Sequence, residues 1–123
     1  MGSPRSKYIL LAEDDPSIAE VVSFVLKEAK YKVITPKSYK GILTLLDKQT
    51  FDLILLDLVL WGDSGSDLCL KIKSNPNTKK IPIIILSARS EVSHIARLTG
   101  ADDMIKKPFA IDELLKKVKQ YVG

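Results

Sequence analysis

Cysteine occurs once in the 123 residues, at Cys69. A lone cysteine closes no internal disulfide, so no covalent staple is available to this fold. The thiol fits a reducing cytosol, where it is expected as a small half-buried residue. Histidine also occurs once, and His94 reads as an exposed helical residue rather than a catalytic group or a metal ligand. No apolar run comes near the ~18 residues that a membrane-spanning helix needs. The segment from Met1 to Lys7 lacks the apolar stretch of a signal peptide. Repeats, internal linkers and low-complexity stretches are missing as well. These absences point away from membrane insertion and towards one cytoplasmic domain with a single buried core. The net charge of +4 is a modest lysine excess of the kind a solvated surface carries, and it is not read as a nucleic-acid footprint. Residues 1–6 are expected to be a disordered leader or cloning remnant, and residues 7–123 one domain. The last predicted helix ends with the chain, so no effector domain is expected within it.

What the chain does have is short apolar runs that stop on polar residues. Ile9-Leu10-Leu11-Ala12 stops on Glu13-Asp14-Asp15, and Leu53-Ile54-Leu55-Leu56 on Asp57. Ile83-Ile84-Ile85-Leu86 stops on Ser87, and Met104-Ile105 on Lys106-Lys107-Pro108. Unbroken β-branched-rich runs alternating with helical stretches read as strands buried on both faces of a parallel sheet. Strands are expected at about 8–12, 31–35, 52–57, 82–87 and 103–106. The first helix is capped by Asp15 with Pro16 at its first position and presents Ile18, Val21, Val22, Val25 and Ala29 on one face. The second follows a Ser38 cap, with Ile42, Leu45 and Leu46 inward. Gly41 weakens it by roughly 1 kcal/mol relative to alanine. The third runs from about 66 to 74, after a loop with Gly62 and Gly65. The fourth covers about 91–99, with Val92, Ile95, Ala96 and Thr99 inward and Gly100 just past its end. The fifth uses Ile111, Leu114, Leu115 and Val118, with Lys116, Lys117 and Lys119 outward.

Five such β-α units, joined by right-handed crossovers, give an α/β fold. It is a doubly wound five-stranded parallel sheet of order 2-1-3-4-5, flavodoxin-like in its winding. Ligands of such sheets sit beyond the carboxyl ends of the strands, so the polar strand ends should converge. Glu13, Asp14 and Asp57 would then crowd three like charges, which raises carboxyl pKa values unless a cation offsets them. Mg²⁺ suits such a place, with two carboxylates, a backbone carbonyl and waters as oxygen ligands. Asp57, at a strand end, is placed to act as a nucleophile towards phosphorus. Lys107 supplies a point charge and Ser87 a hydroxyl for the oxygens of the incoming phosphoryl group.

Two rival uses of the fold meet specific objections. A flavin-phosphate loop after the first strand would be repelled by Glu13-Asp14-Asp15. A haloacid-dehalogenase-type phosphatase has a second acid two residues past its nucleophile, and that position here is Val59, which moves no proton.

The ordered strings Leu10-Leu11-Ala12-Glu13-Asp14-Asp15, Asp52 to Leu58, Leu86-Ser87-Ala88-Arg89, and Gly100-Ala101-Asp102-Asp103 running on to Lys107-Pro108-Phe109 resemble the response-regulator receiver domain of two-component signalling. The resemblance spans Tyr8 to Val122. It implies a phosphorylation-controlled switch in which Asp57 accepts phosphate from a phosphohistidine on a sensor histidine kinase or phosphotransfer protein. It further implies Mg²⁺ held by Asp14, Asp57 and the Val59 carbonyl, with Glu13 acting directly or through water, and phosphoryl oxygens met by Ser87 and Lys107. Such a domain catalyses its own phosphotransfer and slow autodephosphorylation; it is not a turnover enzyme on an external substrate. The resemblance also implies a downstream effector reached through helix 4, strand 5 and helix 5, leaves a homodimer open, and makes a cis Lys107–Pro108 bond common.

Four departures stand out. Trp61 replaces the usual proline four residues after the phosphorylated Asp, and Met104 replaces the switch aromatic of strand 5. The stretch from Ser87 to Lys107 is a residue or two short, and Ala110 provides no cap for helix 5. Trp61 and Met104 are the grounds for the alternative of a degenerate receiver, a protein-interaction module that never carries phosphate. Trp61, in a glycine-flanked loop, is also a candidate partner contact.

Overall fold

A computed structural model of the protein describes residues 6–88 and 92–123. Arg89, the expected helix start at Glu91, the side chain of Val92 and residues 1–5 of the expected leader lie outside the described residues.

Five strands, β1 (Tyr8–Ala12), β2 (Lys32–Ile34), β3 (Leu53–Asp57), β4 (Ile83–Ser87) and β5 (Asp103–Lys106), pair in parallel in the order β2-β1-β3-β4-β5. Five helices separate them: α1 (Pro16–Glu28), α2 (Tyr39–Lys48), α3 (Gly65–Ser74), α4 (Val92–Thr99) and α5 (Ile111–Val122). A two-residue antiparallel ribbon, Val59–Leu60 against Asp63–Ser64, bridges β3 and α3. By sequence alone that stretch reads as a loop. The expected strands at 31–35, 52–57 and 82–87 are shorter, without Tyr31 and Thr35, Asp52, and Pro82 respectively. Asp52 still ties to the first strand: its side chain accepts the Tyr8 N–H at 2.8 Å, and its own N–H donates to the Tyr8 carbonyl oxygen at 2.8 Å.

Strand side chains alternate faces, and the two parities build two cores. Leu10, Ala12, Ile54, Leu56, Ile83 and Ile85 pack with Ile42, Leu68, Cys69, Ile72 and Ala96 of α2, α3 and α4. Ile9, Leu11, Leu53, Leu55, Ile84, Leu86 and Ile105 pack with Val22, Leu26, Leu114, Val118 and Val122 of α1 and α5. Both faces of β1, β3 and β4 are therefore dry, which is why these runs are continuously apolar.

The caps follow local chemistry. Asp15 Oδ1 accepts from the N–H groups of Ser17 and Ile18, Ser38 Oγ accepts from Gly41, and Gly100 has φ +81°. Ala110 offers no side-chain cap to α5. Three expectations need correction. The buried stripe of α1 is centred on Val22 and Leu26, one i,i+4 pair; Val21, a turn-fraction away, is 54% exposed, and Ala29 is also exposed. Cys69 is fully buried, with its Sγ 3.6 Å from the Thr99 carbonyl oxygen, and burial pushes its thiol pKa up. Lys117 turns back rather than outward, and its Nζ lies 2.7 Å from Asp103 Oδ1.

The same Asp103 accepts from Tyr121 Oη at 3.0 Å, tying α5 to β5. Burial, and then the hydrogen bond to Asp103, raise the Tyr121 hydroxyl from 10.0 to about 12. A folded-state pKa above the unfolded value means this bond is fully stabilising below pH 10 and is lost as pH rises through about 12. Tyr121→Phe is therefore expected to be less stable than wild type at pH 8, by on the order of 1 kcal/mol after solvent screening. The gap should close between pH 10 and 12, as followed by urea unfolding. A gap that stays constant across that window would assign the loss to packing alone.

Candidate functional site

The register puts the polar strand ends side by side. Ala12 pairs with Leu56, Asp57 with Leu86, and Ser87 with Lys106. Glu13 and Asp14 thus emerge beside Asp57, while the Lys107 N–H donates to the Ser87 carbonyl oxygen at 2.8 Å. One carboxylate oxygen from each of Glu13, Asp14 and Asp57 lies within 4.8 Å of the others. Glu13 is 4% exposed and Ser87 3%, so the site sits on the rim of the core rather than on open surface.

Lys107 is the counter-charge of this cluster. Its Nζ stands 2.5 Å from Glu13 Oε1 and 2.8 Å from Asp57 Oδ2. Burial alone would lower the Lys107 pKa, but its hydrogen bonds to Asp57 and Glu13 and their charges outweigh that and hold the ammonium above the ordinary lysine range. Glu13 is raised above the ordinary carboxyl range, first by burial and further by the charge of Asp57; the Lys107 hydrogen bond opposes this without cancelling it. By sequence alone, relief of the acid repulsion falls to a metal ion and Lys107 is kept for the phosphoryl oxygens. In this arrangement the ammonium already neutralises part of it.

Backbone donors hold one further oxygen of each acid. Leu58 N–H donates to Asp57 Oδ1 at 2.7 Å, Trp61 N–H to Asp14 Oδ2 at 3.1 Å, and Asp15 N–H to Glu13 Oε2 at 3.2 Å. Val59 lies in the ribbon, 54% exposed, two residues past Asp57. Lys107–Pro108 is cis. Met104 is half-buried against the α2-α3-α4 core.

Sequence reasoning alone does not mark Gly65 as a site residue. A Cβ there would stand 1.9 Å from the Asp57 carbonyl oxygen and 2.8 Å from Leu58 Cα. Its N–H donates to the Leu58 carbonyl at 2.7 Å, so the start of α3 is pressed against the end of β3. In the sequence Gly62 and Gly65 look alike, and only the packing separates them.

The response regulator receiver domain family matches residues 9–119. This chain belongs to that family. The phosphate regulon transcriptional regulatory protein PhoB of Escherichia coli K12 is 37% identical over 116 residues, covering 93% of this chain and 51% of PhoB. The regulatory protein VanR of Enterococcus faecium is 40% identical over 116 residues, covering 93% of this chain and 49% of VanR. The chain thus spans about half the length of these curated relatives. Among solved structures, the response regulator TrrA of Thermotoga maritima, in complex with Mg²⁺ and BeF, superposes with a TM-score of 0.82 at 32% identity, covering 94% of this chain and 98% of TrrA. The five-stranded sheet is the flavodoxin-like receiver fold. A receiver domain is the phosphorylation-controlled switch of two-component signalling, set by histidine kinases and read by downstream effectors. Among the described residues no helix is long and apolar enough to cross a membrane.

Proposed function

We propose that Asp57 is the phosphoryl acceptor of this receiver, in a reaction that needs a divalent cation held by Glu13, Asp14 and Asp57. One observation carries the reading: the Lys107 ammonium bridges Glu13 and Asp57 while Asp14 stands within 4.8 Å of both. A nucleophilic carboxylate, its counter-charge and a further acid are then in one place. One carboxylate oxygen from each of the three acids lies within 4.8 Å of the others, and hard oxygen donors clustered in this way fit Mg²⁺. Mg²⁺, with Val59 as the proposed source of a backbone carbonyl ligand, would supply charge neutralisation for the phosphoryl oxygens.

The chain's own residues do the rest. An Asp57 oxygen attacks the phosphorus of a phosphohistidine on a sensor kinase or phosphotransfer protein. The phosphorus–nitrogen bond breaks as the phosphorus–oxygen bond forms, and the imidazole keeps the electron pair. Lys107, already on Asp57, follows the charge onto the phosphoryl oxygens, and Ser87 offers its hydroxyl to another. Val59 provides no acid or base to speed hydrolysis, which suits a slow autodephosphorylation. Nothing in the site or among the relatives favours the phosphate-independent alternative. Cytoplasmic location and an output through α4, β5 and α5, with Met104 in place of the usual aromatic, complete the reading.

Mg²⁺ is expected to raise the melting temperature by mass action. At 100 times the dissociation constant the gain is about 2.7 kcal/mol. Asp14→Ala should lose most of that shift. Intact mass after acetyl phosphate treatment should show one added phosphoryl group with Mg²⁺ and none in excess chelator. A melting curve blind to millimolar Mg²⁺, together with an unchanged mass, would overturn the proposal.

A further inference from the structure

The ribbon after β3 breaks a local rule at one residue. Trp61 has φ +49° and Gly62 φ +84°. A two-residue hairpin with both central residues left-handed is favourable for its flanking strands, but it selects glycine, asparagine or aspartate. A bulky aromatic there is strained, and such strain persists only where the surroundings hold it. Two contacts do so. The Trp61 ring packs against the α2-α3-α4 core, and its backbone N–H donates to Asp14 Oδ2 at 3.1 Å.

Asp14 needs that donor more than its neighbours do. Lys107 binds Glu13 and Asp57, whereas among the described residues the hydrogen-bond donor to Asp14 is the Trp61 N–H. Two like charges nearby favour a carboxylate that swings away. A donor on one oxygen opposes the swing and leaves the second oxygen for another partner. Proline, the residue usual at this position in receivers, has φ near −65° and no N–H, so it provides no such bond.

We propose that Trp61 is a positioning residue, whose left-handed backbone aims its N–H at Asp14 and so orients that carboxylate for a divalent cation. The proposal rests on the reading of Glu13, Asp14 and Asp57 as the cation site. The ring has a second consequence. With Phe24, Lys27 and Lys37 it lines the cavity that opens beside Glu13 and Asp14, so its emission should respond to events there.

The test separates backbone from side chain. Trp61→Pro removes both the N–H and the positive φ, whereas Trp61→Gly keeps the N–H and tolerates the φ. Mg²⁺ titrations read by thermal shift should show binding weakened roughly tenfold or more in Trp61→Pro, as for other lost supports of a metal ligand. Trp61→Gly should recover it to within about threefold of wild type. In ion-free wild type the Trp61 amide should exchange slowly with solvent deuterium, and Asp14→Ala should make it fast. That measurement stands even if the proline variant fails to fold. Equal Mg²⁺ affinity in the glycine and proline variants, or a Trp61 amide indifferent to Asp14→Ala, overturns the positioning role while the cation site survives. A wild type blind to Mg²⁺ with a Trp61 amide still protected through Asp14 overturns the cation site, and with it the purpose assigned to the bond.

Discussion

Asp57→Asn is expected to leave a folded protein that takes no phosphoryl group from acetyl phosphate and Mg²⁺. The substitution keeps the shape of the side chain and its acceptor for the Leu58 N–H, 2.7 Å away in the wild type. It replaces the nucleophilic carboxylate with an amide, which does not attack phosphorus under these conditions. It also removes the charge that raises Glu13 and one of the two partners that hold Lys107. The two changes oppose each other in stability, so the net effect should be near ~1 kcal/mol in either direction. Intact-mass spectrometry on both proteins, with urea unfolding as the control for folding, measures the outcome. Wild-type levels of phosphorylation in Asp57→Asn would move the acceptor elsewhere.

Gly65→Ala should cost more stability than a methyl added at any other glycine among the described residues. The new Cβ would meet Asp57 O at 1.9 Å, Leu58 Cα at 2.8 Å and Asp57 C at 2.9 Å. All three are backbone atoms, so no side chain can rotate aside. Relief requires α3 to lift from β3, which breaks the 2.7 Å bond from Gly65 N–H to Leu58 O and shifts Asp57 itself. A loss of ~3 kcal/mol or more is expected, at the upper end of overpacking effects. Acceptance of phosphate should fall with it, even under conditions where the protein remains folded. Gly62→Ala is the control: nothing lies within 4 Å of its Cβ, and only its φ of +84° is at stake. That should cost about 1 kcal/mol. Denaturant midpoints within ~0.5 kcal/mol of wild type for Gly65→Ala would refute the close-packing account.

The legible parts of the chain were those governed by local rules. Continuous apolar runs such as Leu53 to Leu56 declare a strand buried on both faces, and the residue that ends each run lies at the sheet's carboxyl edge by construction. The sequence alone therefore places Asp57, Ser87 and the Glu13-Asp14 pair together. Capping was legible for the same reason: Asp15-Pro16, Ser38 and Gly100 act on backbone groups one to three residues away. Helix faces were read less well. On α1 the period is sound, but 3.6-residue spacing leaves the stripe's centre free to rotate. Only the surfaces of α5 and the sheet chose Val22 and Leu26 over Val21.

Contacts between distant segments were beyond sequence reasoning. Lys117 is 14 residues from Asp103 and looks like one of three surface lysines until α5 docks on β5. The Trp61 N–H reaches Asp14 across 47 residues, and Lys107 reaches Glu13 across 94. Pattern and propensity act over a few residues along the chain, so they determine the α/β class, the order of elements and which side chains end the strands. Distances of 2.5 to 3.1 Å between carboxylates, ammonium and backbone N–H groups depend on how the ribbon folds back and how closely α3 meets β3. That decides which acid Lys107 neutralises, which one Trp61 orients, and why Gly65 has no room for a side chain, because each outcome follows from close packing between segments that share no local code.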